Sequence, residues 1–168
     1  MIRRRFLSLL CICTSALMLP VFGFADSASK GRVLLTVSGL VGASEGPIEF
    51  DRNKLRALDW VEVETFTEWT EGKSRFAGPT LSSLLASVQA GGQQILAVAL
   101  DDYTVLIPVE DAQKHDVFLA MEQDGKVMGV REKGPIWVIY PDRENDAQFR
   151  KTHNPKMIWQ LSQLTVRP

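Results

Sequence analysis

Few residues in this sequence have the type and spacing that metal binding requires. His115 and His153 are the two histidines, and neither has a second ligand nearby in the sequence. A zinc or iron site would need ligands from distant segments, and a lone surface histidine is far commoner. The pair Asp101-Asp102 could bind a cation, but two acids between predicted strands are typical of a turn. These residues therefore predict no metal site.

The motifs of nucleophilic and nucleotide chemistry are also absent from the sequence. No Gly-x-Ser-x-Gly, phosphate loop or dinucleotide fingerprint occurs. Thr65 and Thr67 could supply oxygen ligands, yet threonine is a common strand residue. The two cysteines are Cys11 and Cys13, both close to the N-terminus. We predict no catalytic residue from these patterns.

The first 25 residues have the pattern of a cleaved secretory signal peptide. Arginines at 3–5 precede an apolar run over 6–24, and the small residues at 23 and 25 suit cleavage before Asp26. The apolar core is short for a bilayer span, so no membrane span is expected after cleavage. The sequence therefore predicts a periplasmic protein. The general secretory route is favoured, with the twin-arginine route as the alternative, since residues 3–7 match only part of that motif.

Composition then favours a single folded domain over residues 26–168. The chain of 168 residues is 45% hydrophobic with a net charge of -1, which argues against disorder. Removing the predicted signal lowers the basic count from 19 to 16 and leaves all 20 acids, so the net charge becomes about -4. Nucleic acid is therefore not an expected partner. Both cysteines leave with the signal, so the mature chain has no thiol.

The periodicity of the mature chain predicts an α+β domain with short strands. The ranges 32–41, 48–50, 60–69, 95–100, 103–107, 136–140 and 158–166 are predicted as strands. A hairpin is expected to pair 117–122 with 127–130 across Asp124-Gly125. Helices are predicted after Asp51, from Gly78-Pro79 to about 88, and over 110–114. Residues 142–146 are predicted to form a charged loop.

The order of these landmarks resembles the sulfite-oxidase-type molybdopterin-binding domain in its small stand-alone bacterial form. The resemblance is carried, in order, by residues 35–41, 50–51, 55–58, 69, 76–81, 84–85, 99–104, 107–108, 118–120, 124–125, 134–135, 141 and 156–161. It covers nearly the whole mature chain and implies β-rich mixed sheets with a few short helices. It also implies an oxidoreductase that holds molybdenum on a pterin dithiolene.

Two departures from the family pattern argue against redox chemistry. In the better-known members a cysteine thiolate binds the metal, four residues before the tryptophan that Trp69 matches, and that position here is Thr65. Trp137 stands where the family often has an arginine after glycine-x-proline, and tryptophan cannot supply that charge. We therefore predict no bound cofactor, with molybdopterin as the alternative.

A retained pocket would still need donors for an anionic ligand. Lys73 and Arg75, placed just before the predicted helix start, are candidates, and Lys156 is another. The simpler interpretation is that Lys73, Arg75 and nearby glutamates form a mixed exposed face. The predicted candidate pocket comprises Thr65, Trp69, Lys73, Arg75, Gly78 and Lys156, with Trp69 at its mouth on the strand face of Thr65.

Three hypotheses follow for function. The first is an exported domain of this fold without redox catalysis, acting as a binding, sensing or accessory module for a small ligand or a periplasmic or membrane partner. The second is a molybdopterin-dependent oxidoreductase in which Thr65 or water replaces the thiolate. The third discards the family for a secreted β-sandwich interaction domain, which predicts no pocket around Thr65, Trp69 and the helix start.

Overall fold

The computed structural model describes residues 31–42, 46–142 and 144–168. The predicted signal peptide lies outside these residues. Three antiparallel or mixed β-sheets and four short α-helices make up the domain, which confirms the α+β, β-rich class. No helix in the described part of the chain is long and apolar enough to cross a membrane.

The largest sheet has five strands in the order β2-β1-β11-β5-β6. Its strands are β1 (Leu35–Gly39), β2 (Ile48–Phe50), β5 (Gln94–Ala99), β6 (Thr104–Pro108) and β11 (Leu161–Arg167). β1 and β11 are parallel, and the other neighbours are antiparallel. Alternate residues such as Leu35, Val37, Ile95 and Ala97 are fully buried, as expected for strands with one face on the core.

A second sheet of four strands has the order β3-β4-β8-β9. It is formed by β3 (Trp60–Phe66), β4 (Lys73–Pro79), β8 (Glu122–Gln123) and β9 (Lys126–Val127). A third, two-stranded sheet pairs β7 (Phe118–Ala120) with β10 (Trp137–Ile139), and every residue of both strands is buried. The core of the domain therefore lies where these three sheets meet.

The predicted hairpin was right in its turn and wrong in its extent. Asp124 and Gly125 have φ angles of 49° and 74°, which suit a two-residue hairpin turn between β8 and β9. The pairing covers only two residues on each side, because the preceding apolar run forms β7 and pairs with β10 instead. A fully apolar strand is buried on both faces, so its backbone hydrogen bonds are made with another buried strand.

Four helices lie around the sheets: α1 (Arg52–Arg56), α2 (Leu81–Ser87), α3 (Asp111–Lys114) and α4 (Ala147–His153). The predicted start of α2 at Gly78-Pro79 was wrong, since Pro79 ends β4 in register with Trp60. Thr80 is the N-cap, and its hydroxyl accepts a hydrogen bond from the Ser83 N–H at 3.2 Å. The same capping geometry confirms Asp51 as the N-cap of α1.

Helix α4 was not predicted. Residues 142–146 were expected to form a charged loop, and no helix or strand was expected between that loop and the strand predicted at 158–166. Asp146 caps it, with its carboxylate accepting from the N–H groups of Gln148 and Phe149 at 2.7 and 3.2 Å. A short 3₁₀ helix, Asn154–Lys156, continues directly from it toward β11. This unpredicted segment supplies one wall of the candidate site.

Candidate functional site

A cavity of about 780 Å³ opens between the β5–β6 turn, the turn after β3 and the segment that follows α4. Aromatic and apolar side chains form much of its lining, notably Trp69, Tyr103, Met157, Ile158 and Trp159. Charged side chains of both signs complete it: Glu68, Asp101, Arg150 and Lys151. A cavity of this size and lining suits a small organic ligand held by a few polar groups.

The aromatic wall of the cavity is a packed cluster of three tryptophans. The ring of Trp69 meets Trp159 edge-on at 5.4 Å between centroids, and it meets Trp137 at 5.7 Å. Trp137 is fully buried, and its indole N–H donates to the Met157 carbonyl at 3.1 Å. The Lys133 ammonium lies 5.3 Å from the ring centroids of both Trp137 and Trp159. Trp137 therefore supports the wall from behind.

Thr65 has a different role in the structure from the one its sequence position implies. It is fully buried, and its hydroxyl accepts from the Asp142 N–H at 2.7 Å and donates to the Asp142 carbonyl at 3.2 Å. It does not line the cavity. β3 ends at Phe66, which bridges to Asp142, so Trp69 lies beyond the strand and does not share its face with Thr65. The hydroxyl of Thr65 is therefore fully engaged in holding the 142 segment.

Asp142 links Thr65 to helix α4, which forms part of the cavity wall. Its buried carboxylate accepts from the Arg150 guanidinium at 2.8 Å and from the Asp146 N–H at 2.9 Å. Arg150 also donates to the side-chain oxygen of Asn145. The charge of Arg150 is thus already paired beneath α4, while the helix presents this residue and Lys151 to the cavity. Position 65 is connected to the cavity through Asp142 and α4.

The remaining predicted pocket residues lie away from the cavity. Lys73 and Arg75 are exposed residues in the first half of β4, where Lys73 lies 5.0 Å from the Phe66 ring centroid and Arg75 pairs with Glu62 at 3.4 Å. Their strand separates them from the N-terminus of α2, so they are not at a helix start. Gly78 is a packing residue, because a Cβ there would lie 1.9 Å from the Leu119 carbonyl oxygen. Of the six, the structure brings only Trp69 to the cavity lining.

Lys156 joins a buried polar cluster on the other side of α4. Its ammonium contacts the Asp111 carboxylate at 2.6 Å, and the Tyr140 hydroxyl donates to the same oxygen at 2.8 Å. Burial by itself would raise the pKa of Asp111, but hydrogen bonds from Lys156 and Tyr140 hold it below its usual value. Burial and the Asp111 carboxylate raise the pKa of Tyr140 well above its ordinary value. The cluster therefore keeps one carboxylate charged and one phenol neutral.

Comparison with known proteins identifies the family of this fold and cavity. Residues 34–147 match the family model of the oxidoreductase molybdopterin binding domain, and the chain belongs to that family. The secreted β-sandwich hypothesis is therefore wrong.

A solved structure with a similar fold is the sulfane dehydrogenase SoxCD of Paracoccus pantotrophus. It has 22% sequence identity to this chain and a TM-score of 0.62 over 83% of it. The match covers 39% of the SoxCD chain, so this protein spans about two-fifths of that length. No curated protein sequence matches this chain.

The residues present do not fit a molybdenum centre of the thiolate type. Position 65 offers a hydroxyl that is buried and engaged by Asp142, and the chain has no cysteine after Cys13. Within the described ranges, no three His, Cys, Asp or Glu side chains come together to hold a metal ion. The cavity's Arg150 is paired with Asp142, and Glu68 and Asp101 oppose an anionic pyrophosphate. These residues therefore do not supply the ligands of such a centre.

The Thr65 contact predicts a clear difference between two near-isosteric variants. Thr65→Val should lower the free energy of unfolding by about 1–3 kcal/mol, because it leaves the buried Asp142 N–H without an acceptor. Thr65→Ser keeps the hydroxyl and should lose less stability. Urea denaturation of both variants measures this. Equal losses in the two variants would contradict the hydrogen-bonding role of Thr65.

Proposed function

We propose that this protein is an exported, periplasmic ligand-binding or accessory domain in which the molybdopterin fold no longer supports redox catalysis. The observation that carries the proposal is the environment of Thr65. At the position matched to the family's metal-binding cysteine, the side chain donates its one hydroxyl proton to the Asp142 carbonyl and accepts from the Asp142 N–H. In the family's better-known members this position binds the metal, whereas here Thr65 hydrogen-bonds to the backbone of Asp142.

The cavity supports a binding role in its own right. Its floor is apolar, with Met157 and Ile158 buried, and Trp69 with Trp159 presents aromatic edges and faces to an occupant. Lys151 and Asp101 at the rim supply charges of both signs. A small planar organic molecule with polar substituents fits this combination, since aromatic walls favour flat rings and rim charges orient them.

A second candidate function is a molybdopterin-dependent oxidoreductase with a metal ligand other than cysteine. Family membership favours it, because the family is defined by binding of this cofactor. The partial twin-arginine pattern also favours it, since that route exports folded proteins with their cofactors. Under this alternative, the Thr65 and Asp142 contacts would have to open for a ligand atom to reach the metal.

Metal and pterin analysis distinguishes the two functions. The protein should be purified from the periplasmic fraction of cells that make the cofactor, then assayed for molybdenum by mass spectrometry and for pterin by fluorescence. We expect neither, because the thiolate is absent and Thr65 is engaged. A cysteine-bearing member of the family, prepared from the same cells, is the positive control. Stoichiometric molybdenum and pterin in this protein would overturn the proposal.

A further inference from the structure

Helix α4 forms part of the cavity wall on one side and packs on the buried polar cluster on the other. Arg150 and Lys151 face the cavity, and the chain continues from the helix into the cavity-lining Asn154. Phe149 and His153, four residues apart on the helix, pack on the body of the domain, where both rings contact the ring of His115. A change in how the inner side packs must therefore move the cavity wall.

The inner side is held by a neutral histidine. His153 is 7% exposed, and its ring stacks on Tyr140 with centroids 5.0 Å apart and lies 4.4 Å from the ring of His115. Its Nδ1 contacts the Phe149 carbonyl at 2.8 Å, which requires a proton on Nδ1. The neutral ring satisfies this hydrogen bond and packs without charge among aromatic rings.

A second proton on this ring would meet an unfavourable set of neighbours. Lys156 already carries a positive charge, and the ring of His115, the residue after α3, lies 4.4 Å away between ring centroids. Asp111 attracts a positive His153, but its carboxylate is already bonded to Lys156 and Tyr140. The Nε2 atom of His115 lies 3.9 Å from the other oxygen of Asp111. The Asp111 carboxylate is therefore occupied by other partners and stabilises a positive charge on His153 only weakly.

We propose that His153 is an acid-sensitive latch: its protonation releases α4 from the domain body and opens the cavity wall. Only the binding of a ligand in the cavity rests on the proposed function, and the movement of α4 does not depend on it. Release of α4 would carry Arg150 and Lys151 away from the aromatic wall. The ligand site would thus be intact at neutral pH and lose its α4 wall in mildly acidic surroundings.

The direction of the pH effect follows from linkage. Burial lowers the pKa of His153 below its ordinary value of 6.5, so the released state binds the proton more readily than the docked state. The docking of α4 is therefore fully stable above about pH 6.5 and weakens as the pH falls below it. Asp111, whose pKa lies below 3.8, loses its charge only in stronger acid. The two effects occupy separate pH ranges.

Hydrogen–deuterium exchange of the full mature protein tests the latch without any ligand. Exchange should be followed at about pH 7.5 and about pH 5, corrected for the intrinsic pH dependence of amide exchange. We expect the protection of the α4 amides to fall severalfold relative to the β11 amides, because the released state binds the His153 proton more readily than the docked state. Unchanged protection of α4 at the lower pH would overturn the proposal.

Two variants separate the latch from general acid destabilisation. His153→Phe keeps an aromatic ring in place but cannot be protonated, so α4 should stay equally protected at both pH values. His153→Gln cannot be protonated either and keeps an N–H donor for the Phe149 carbonyl, so it tests the latch even if His153→Phe does not fold. A wild-type pH response in either folded variant would refute the role of His153. Because no ligand is used, the result is independent of whether the cavity binds one.

Discussion

Replacing Asp111 with alanine should lower the free energy of unfolding by about 3–5 kcal/mol, the range for breaking a buried ion pair by removing one partner. The side chain is almost fully buried and is the shared partner of Lys156 and Tyr140. Without it, a largely buried ammonium and a buried hydroxyl lose their acceptor. The melting temperature should fall by roughly ten degrees. Urea and thermal denaturation at neutral pH measure both quantities.

The controls for Asp111 separate charge from hydrogen bonding. Asp111→Asn keeps an acceptor for Tyr140 and should lose less stability than the alanine variant. Tyr140→Phe removes one hydrogen bond and should lose about 1 kcal/mol. Because the pKa of Asp111 is below 3.8 in the folded protein, its contribution is present above that pH and lost in stronger acid. A loss below about 1 kcal/mol for Asp111→Ala would contradict this account.

Gly78→Ala should lower the free energy of unfolding by about 3 kcal/mol, near the upper end for overpacking a core. The added Cβ would lie 1.9 Å from the Leu119 carbonyl oxygen and 3.0 Å from the Ala120 Cα. Both atoms belong to the backbone of β7, so no side-chain rotation can relieve the clash. β4 and β7 would have to separate. The hydrogen bond from the Met121 N–H to the Ala77 carbonyl, 2.8 Å long, lies beside the clash and would be strained as well.

Gly91→Ala is the matched control, because a Cβ at Gly91 meets no atom within 4 Å and its φ is not positive. It should change stability by a few tenths of a kcal/mol at most. Denaturant unfolding of the two variants gives the comparison directly. If Gly78→Ala were as stable as Gly91→Ala, the close packing of β4 on β7 would be wrong.

Local signals in the sequence predicted most of the fold. Asp51 caps a helix because its short side chain reaches a free backbone N–H, and that interaction involves neighbours only. The stripe of Leu81, Leu84 and Leu85 predicted the buried face of α2 for the same reason. The pairing of β7 with β10 could not be predicted, since it joins residues that are far apart in the sequence.

Helix α4 was missed because it is short and mostly polar. Its inward side chains are Phe149 and His153, and one spacing of four residues is too little to define a helical period. Its stability comes from the Asp146 cap, from the partners of Arg150 and from the packing of Phe149 and His153 on the domain body. A helix held by tertiary contacts has little signature in its own sequence.

The candidate site was predicted only in part for a related reason. Alternation assigned Thr65 and Trp69 to one strand face, but the strand ends between them at Phe66. Trp69 therefore lines the cavity, while Thr65 bonds to Asp142. The lining residues Arg150 and Lys151 went unrecognised because the helix that presents them was not predicted. Residues 99–104, which are among those that carry the family resemblance, include Asp101 and Tyr103 of the cavity lining.

The tryptophan cluster is an intrinsic spectroscopic probe of the cavity wall. Three of its four tryptophans, at 69, 137 and 159, have ring centroids within 6.2 Å of one another, at near-perpendicular angles. Indoles this close couple their electronic transitions, so the near-ultraviolet circular dichroism of the protein should be dominated by this one site. Trp60 lies apart under the Arg56 guanidinium. Movement of the cavity wall therefore changes a spectrum that needs no label and no added ligand.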